Sequence, residues 1–422
     1  MEQENCSAFM MTRKRKSQEE NCISSTFLMD ELNEDLLEGV LSRLPISAFF
    51  RLSSVCKRWK SVANSSSFKL ACSQIPSRDP WFFMVDSHLN RSIVFDSAEK
   101  NWKKLNHPPL LQTNSNCNSM PVSASGGFIC FRNSYGNFVV CNPVTGSCNE
   151  QPPLDPALQS LTFHAIVMSS CPNKHDQSSY RLVVVFGELP KLSFRVYNSS
   201  SGCWEEEITL CKKFNDDDNS KELDDSTDFD SNDDSAVYFL SKAGNVVATN
   251  MQRSPSKQYS SVITNKDGEE IVHFLSSSGS IVACNLTSKC FIEYPRLLPV
   301  FYEYSIDLVE CGGRMLVVLL SEFFESASLR VWCYDEDVRS WQQIAAMPPA
   351  MSHEWYGKNV DINCVGAGDQ ILICLSSAEI SSCVMCDLAA NEWVELPKCY
   401  VDGEAIKFMS AFSFQPRIEA SL

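Results

Sequence analysis

The stretch Cys333–Trp341, CYDEDVRSW, places two strand-like residues before an aspartate and a tryptophan six positions after it. Five other stretches repeat the pattern: VFDSAEKNW (94–102), VCNPVTGSC (140–148), VYNSSSGCW (196–204), ACNLTSKCF (283–291) and MCDLAANEW (385–393). The pairs are Asp96/Trp102, Asn142/Cys148, Asn198/Trp204, Asn285/Phe291, Asp335/Trp341 and Asp387/Trp393, six apart every time. An Asp or Asn side chain that accepts from its own backbone opens a tight turn. A return strand then plants a large or sulfur-bearing apolar residue in a core.

A seventh copy lies in the widest gap, where VYFLSKAGNVVATN (237–250) matches VHFLSSSGSIVACN (272–285) at eight of fourteen positions. Anchors then fall at 96, 142, 198, 250, 285, 335 and 387, with Gly126-Gly127, Gly312-Gly313 and the looser Gly366 and Gly368 upstream of theirs. Repeats of about 50 residues, each about four strands, are the signature of a β-propeller. The expectation is a mainly β chain of seven blades, with six and an irregular insertion as the alternative. The run Ala405–Phe414 (AIKFMSAFSF) exceeds the last repeat, while WFFMV (81–85) begins the first with too few strands. The C-terminal run is therefore expected to complete the first blade and leave no open edge.

In front of the repeats the texture is helical. Leu32, Leu36, Leu37, Val40, Leu41 and Leu44 share one helical face, and Pro45 ends that helix. Ser47 can cap a second helix bearing Phe49, Phe50 and Leu52, and a third runs through Val55, Trp59 and Val62. Three short helices in about forty residues rarely make a self-sufficient core, so a partner is expected.

Composition narrows the function. The 422 residues are 44% hydrophobic, enough for a sizeable core, and 36 basic against 52 acidic residues give −16. That balance disfavours nucleic acid or an anionic membrane as main ligand. Residues 214–234 hold ten acids and one lysine, a charge of −9, which leaves −7 elsewhere; the run reads as a solvated, disordered loop. No stretch approaches the ~20 apolar residues that cross a bilayer. Residues 1–27 read as a disordered tail without a hydrophobic signal region, so the 20 cysteines are expected to be reduced thiols in the nucleus and/or cytoplasm. The cluster Arg13–Lys16 reads equally as a nuclear address or a solvating tail.

Sites for chemistry are sparse. Histidines 88, 107, 164, 175, 273 and 353 lack metal-ligand spacing. Cys383-x-x-Cys386 lies on an expected strand with no second pair, and Gly366-Ala-Gly368 fits a blade turn better than a phosphate loop. The reading is a non-enzyme with no catalytic residues, no metal and no cofactor.

The stretch Leu32–Phe68 resembles an F-box in its leading Leu, paired Leu36-Leu37, Leu44-Pro45 break and Val55-Cys56-Lys57-Arg58-Trp59. The repeats resemble kelch repeats, and the combination resembles plant F-box/kelch proteins. The resemblance implies a three-helix F-box at 28–71 that binds a Skp-type adaptor, and through it the cullin and RING subunits of an SCF ubiquitin ligase. It also implies a kelch propeller at 72–422 that holds the protein to be ubiquitinated. By match to the motif, adaptor contact falls to Leu32, Leu36, Leu44, Pro45, Val55, Cys56 and Trp59, with Trp59 also suited to the internal core. Many F-boxes have Pro where this chain has Asn33, which loses a rigid apolar contact. Two other classes stay open: a kelch scaffold without a ligase role, and a propeller oxidase or sugar-processing enzyme. The aromatic connectors offer Tyr302, Tyr304, Trp355 and Tyr356 as substrate contacts, or as rings packed between blades.

Overall fold

The computed structural model describes residues 33–86, 91–105, 119–155, 158, 161–170, 179–213, 238–240, 246–248, 259–276, 279–297, 304–323 and 326–422. The acidic run, the basic cluster Arg13–Lys16, Leu32 and Tyr302 lie outside them. Helices come first: α1 (Glu34–Ser42), α2 (Ile46–Ser53), α3 (Lys57–Val62) and α4 (Ser66–Ser73). A fourth helix corrects the expectation of three. Ser65 caps it by accepting from the Phe68 amide, and Phe68 and Cys72, four apart, are both buried. Ser47 is not the cap of α2, because Pro45 occupies that position without a side-chain bond.

The strands follow. β1 (Trp81–Asp86), β2 (Ile93–Asp96) and β3 (Asn101–Lys104) begin the first sheet. β4 (Met120–Ser125), β5 (Phe128–Arg132), β6 (Phe138–Cys141) and β7 (Cys148–Glu150) form the second. The third unit holds β8 (Phe163–Ser170), β9 (Tyr180–Glu188), β10 (Lys191–Asn198), the short β11 (Cys203–Trp204) and β12 (Ile208–Lys212). Next come a hairpin, β13 (Tyr238–Leu240) with β14 (Val246–Ala248), and the fourth unit, β15 (Ser261–Lys266), β16 (Glu269–Leu275), β17 (Ile281–Asn285) and β18 (Cys290–Glu293). The fifth is β19 (Tyr304–Cys311), β20 (Arg314–Phe323), β21 (Ser326–Asp335) and β22 (Ser340–Ala346). The sixth is β23 (Asp361–Ala367), β24 (Gln370–Ser376), β25 (Ser381–Asp387) and β26 (Glu392–Glu395). A small hairpin, β27 (Tyr400–Val401) with β28 (Glu404–Ala405), precedes β29 (Phe408–Phe414).

β29 pairs antiparallel with β1, from Trp81 opposite Phe414 to Asp86 opposite Phe408, so the chain's last strand completes its first sheet as expected. Outer strands β12 and β18 pair in parallel, Cys211 opposite Cys290, and join the third and fourth units. The described part of the seventh copy forms only the β13–β14 hairpin.

The Asx turns are present at all six anchors. Oδ1 of Asp96, Asn142, Asn198, Asn285, Asp335 and Asp387 accepts from a backbone amide two or three residues on, at 2.8–3.3 Å. Four residues past each anchor the backbone turns left-handed, at Lys100, Gly146, Gly202, Lys289, Arg339 and Asn391. That reversal brings the return strand back in register. The expected core residue at the sixth position is buried for Phe291 and Trp393 and half-buried for Trp102, Trp204 and Trp341. Cys148 is exposed, a correction: β7 is an outer strand with no buried residue. Indole Nε1 of Trp102, Trp204 and Trp341 instead reaches the connector after the preceding sheet, donating to the carbonyls of Pro397, Pro152 and Pro295 at 2.7, 2.8 and 2.8 Å.

Innermost strands are joined from sheet to sheet by hydrogen bonds. The Met168 amide donates to Ser123 Oγ, Ser261 Oγ to the Ile166 carbonyl, and the Leu308 amide to Ser260 Oγ. The circuit continues with the Cys364 amide donating to Asp307 Oδ2 at 2.7 Å and Ser413 Oγ to the Gly366 carbonyl at 2.8 Å. It closes with the Gln415 amide donating to the Gly126 carbonyl at 2.6 Å. Gly366 permits the approach of β23 to β19, since a Cβ there would lie 1.8 Å from the Glu310 carbonyl oxygen.

Candidate partner-binding surface

The helical unit sorts its apolar side chains into two sets. Leu37, Leu41, Phe49, Val62, Phe68 and Cys72 are buried together, with Leu44, Trp59 and Ala63 packed against them. Leu36 and Val40, four apart on α1, are 61% and 58% exposed, and Val55, between α2 and α3, is 70% exposed. The leucines expected on one face therefore split, because positions one apart on a helix point about 100° away from each other. Leu36/Val40 faces outward and Leu37/Leu41 faces the core. Phe50 and Leu70 are exposed as well; sequence reading passed over these two and Val40 as surface residues, although an outward i,i+4 leucine–valine pair was there to be seen.

The residues matched to the adaptor motif therefore divide. Leu36, Pro45 and Val55 face outward. Leu44 and Trp59 are half-buried against the helical core, and Cys56 caps α3, its Sγ accepting from the Trp59 amide at 3.4 Å. Asn33, standing in place of the common proline, caps α1 by accepting from the Asp35 amide, and Glu34 and Asp35 complement the helix dipole.

The helices do not wait for a partner to complete their core, a further correction, because the propeller takes part. Ile46 at the head of α2 packs with Trp81, Phe83, Ile129 and Phe131 of the first two sheets, and Ile418 of the C-terminal tail packs against both cores. Glu99, in the β2–β3 turn, accepts from Ser47 Oγ at 2.7 Å and pairs with Arg51 and Lys103. The bonds from Lys103, Ser47 and Arg51 lower its pKa to about 2. Arg78 donates to the carbonyls of Ser42 and Leu44, and Arg417 to those of Ile75 and Pro76.

These contacts set the helices on the face that carries the β2–β3 turn. Because strand direction alternates, the connectors between sheets run over the opposite face. Tyr356, 41% exposed, lies in the connector from β22 to β23. Its neighbour Trp355 is buried at 2% among Val331, Met347, Val360 and Ile362, so it packs between the fifth and sixth sheets and offers a ligand no surface. Tyr304 begins β19.

Buried polar groups elsewhere are tied into the scaffold. Cys383 and Cys386 fall in two different cores, so they cannot chelate one ion. His273 Nε2 lies 3.0 Å from Thr264 Oγ1, and burial lowers its pKa to about 4. Burial raises Glu310, which is the acceptor for the Gly313 amide. Among the described residues no three His, Cys, Asp or Glu side chains group as metal ligands would. The arrangement is suited to binding through shape and apolar contact.

Comparison with known proteins gives two family matches: an F-box domain over residues 29–71 and a KIB1-4 beta-propeller over residues 94–352. F-box only protein 13 of Arabidopsis thaliana is 54% identical over 97% of this chain and 90% of its own length. F-box only protein 6 of the same plant is 25% identical over 92% of this chain and 76% of its own. An Arabidopsis F-box/kelch-repeat protein is 29% identical over 45% of this chain and 49% of its own.

Proposed function

Because the chain belongs to the F-box proteins that carry a KIB1-4 β-propeller, we propose that it is the substrate receptor of an SCF ubiquitin ligase. Its F-box binds the Skp-type adaptor, and through it cullin and RING subunits, while the propeller binds the protein to be ubiquitinated. The role is non-catalytic, exercised in the nucleus and/or cytoplasm without nucleic acid or membrane.

The observation that carries this reading is the outward set Leu36, Val40 and Val55 on a helical unit whose own core is already filled. Large apolar side chains left in water beside a finished core mark an interaction surface. Of the residues matched to the motif, Leu36, Pro45 and Val55 would make direct contact, and Leu44, Cys56 and Trp59 would hold the shape behind them. Docking of the helices onto the ring also supports the reading, since a ligase must hold its substrate at a set distance from the conjugating enzyme.

Propeller details belong to the same proposal. Anchors at 96, 142, 198, 285, 335 and 387 sit in units of four strands, or five in the third, and the hydrogen-bonded circuit passes through their inner strands. Six blades, the alternative read from the sequence, then fit better than seven. A kelch-like blade is favoured by the repeated Asx turn and returning tryptophan. Within the family, Gln252–Thr264, Leu320–Arg330 and Asp361–Gly368 look like stretches of the plant protein HAWAIIAN SKIRT, and kinship with it is proposed on that likeness. Reconstitution tests the function. The full chain with adaptor, cullin, RING subunit, activating and conjugating enzymes should transfer ubiquitin to a protein held on the ring, and should not when the adaptor is omitted. Transfer independent of the adaptor would refute it.

A further inference from the structure

The second sheet departs from the aromatic pattern of the anchors. In the other five units the residue six past the anchor is an aromatic ring, as in Trp341, which stands opposite Tyr334. In the second unit both places are cysteines, Cys141 on β6 opposite Cys148 on β7. The pair therefore does not serve the packing role that the same positions serve elsewhere, because β7 buries no residue.

Register makes the two thiols neighbours. The Asn142 amide donates to the Ser147 carbonyl at 2.9 Å and closes the turn. Hydrogen-bonded and non-hydrogen-bonded pairs alternate along an antiparallel ladder, so Cys141–Cys148, one step from the turn, is a non-hydrogen-bonded pair. At such a pair the Cα atoms stand about 4.5 Å apart with both side chains on one face, within the roughly 4.4–6.8 Å that a disulfide spans. Cys148 is exposed and Cys141 is buried. A hydrogen bond from the Cys141 thiol lowers the pKa of Cys148 and favours its thiolate, the nucleophilic form. The same bond, together with burial, raises that of Cys141.

We propose that Cys141 and Cys148 form a peroxide-responsive thiol pair that closes to a reversible disulfide. The Cys148 thiolate attacks one oxygen of hydrogen peroxide; the O–O bond breaks, and the departing hydroxide takes up the proton that Cys148 had released. Cys148 is then a sulfenic acid. The Cys141 sulfur attacks the Cys148 sulfur, the S–S bond forms as the S–O bond breaks, and the Cys141 proton leaves with the hydroxide. Two thiols are oxidised and one peroxide is reduced to two waters. A dithiol reductant reverses the bridge by attacking the exposed Cys148 sulfur, releasing Cys141 and leaving as its own disulfide. Between the two cysteines, Asn142 Nδ2 holds the C-terminal tail by donating to the carbonyls of Arg417 and Ala420 at 2.8 and 2.9 Å. The bridge fastens β7 to β6 and steadies the turn on which that contact depends.

The test treats the reduced full chain with hydrogen peroxide, blocks remaining thiols and maps the linked peptides by mass spectrometry. Cys203 is the internal control, an exposed cysteine that faces Asn198 across its ladder. The Cys141–Cys148 link should form roughly tenfold or more faster than Cys203 is oxidised, and a dithiol should reverse it. In Cys141→Ala, Cys148 should stop at the sulfenic acid and be trapped by dimedone. In Cys148→Ala, a change at an exposed site that leaves the fold intact, Cys141 should keep its thiol at the same dose. Three results would each overturn the inference: no link at a dose that oxidises Cys203, Cys148 driven to the sulfinic acid while Cys141 stays a thiol, or oxidation of Cys141 in Cys148→Ala.

Discussion

Glu99 Oε1 lies 2.7 Å from Arg51 Nη2, so a carboxylate in the first propeller sheet holds the second helix of the F-box. Ser47 and Lys103 converge on the same carboxylate. The joint between the two parts is thus ionic at its rim and apolar at Ile46 and Ile418.

Glu99→Ala should loosen this joint without unfolding either part. Arg51 is largely exposed, so the ionic contribution is on the order of 1 kcal/mol and shrinks in high salt. Hydrogen exchange should rise in α2 and stay constant in β20 and β24. With the folded pKa about 2 against an ordinary 4.5, the contact is complete above pH 4.5 and is lost as pH falls toward 2. Unchanged exchange in α2 would contradict the assignment.

Truncation after Gly403 removes β29 and exposes the full edge of β1. The ring then opens at its first sheet and Phe408, Phe412 and Phe414 leave the core, so aggregated or unfolded protein is expected. A monomeric truncation with an unchanged melting temperature would refute closure by this strand.

How much of this was legible in the sequence follows the range of the interactions. The Asx anchors were, since each turn is decided within six residues. Closure was too, because a strand in excess at one end matched a deficit at the other. The fourth helix was written in Ser65, Phe68 and Cys72 and was overlooked. The joint was not legible: Ser47 and Glu99 are 52 positions apart, and Arg417 reaches Ile75 across 342. Trp355 and Tyr356 are adjacent in sequence, yet tertiary packing buries one and exposes the other.

The indole contacts between sheets make a paired prediction. Trp341 Nε1 donates to the Pro295 carbonyl, whereas Trp393 Nε1 is buried without a partner. Trp341→Phe breaks that hydrogen bond at a half-buried site, whereas Trp393→Phe removes an unpartnered N–H from a buried one. Trp341→Phe should be the less stable by about 1 kcal/mol in chemical denaturation. Equal losses would contradict that order.

His273 sets an acid limit on stability. Its pKa of about 4 in the fold lies below the ordinary 6.5, so the unfolded chain takes up the proton first. Stability is full above pH 6.5 and falls as pH drops toward 4, by roughly 2 kcal/mol between pH 7.5 and 5. Denaturation across this range should show that slope, and His273→Gln should flatten it. The same slope in the variant would assign the titration elsewhere.

The adaptor face is tested most directly by the affinity of a Skp-type adaptor for the full chain carrying Leu36→Asp and Val55→Asp. Both side chains are more than half exposed in the free protein, so the substitutions leave the helical core and the ring intact. At an apolar interface, however, they would bury unpaired carboxylates. Calorimetry should find binding weakened on the order of 100-fold, about 2.7 kcal/mol, at an unchanged melting temperature. Equal affinity of the variant and the natural chain would contradict the account.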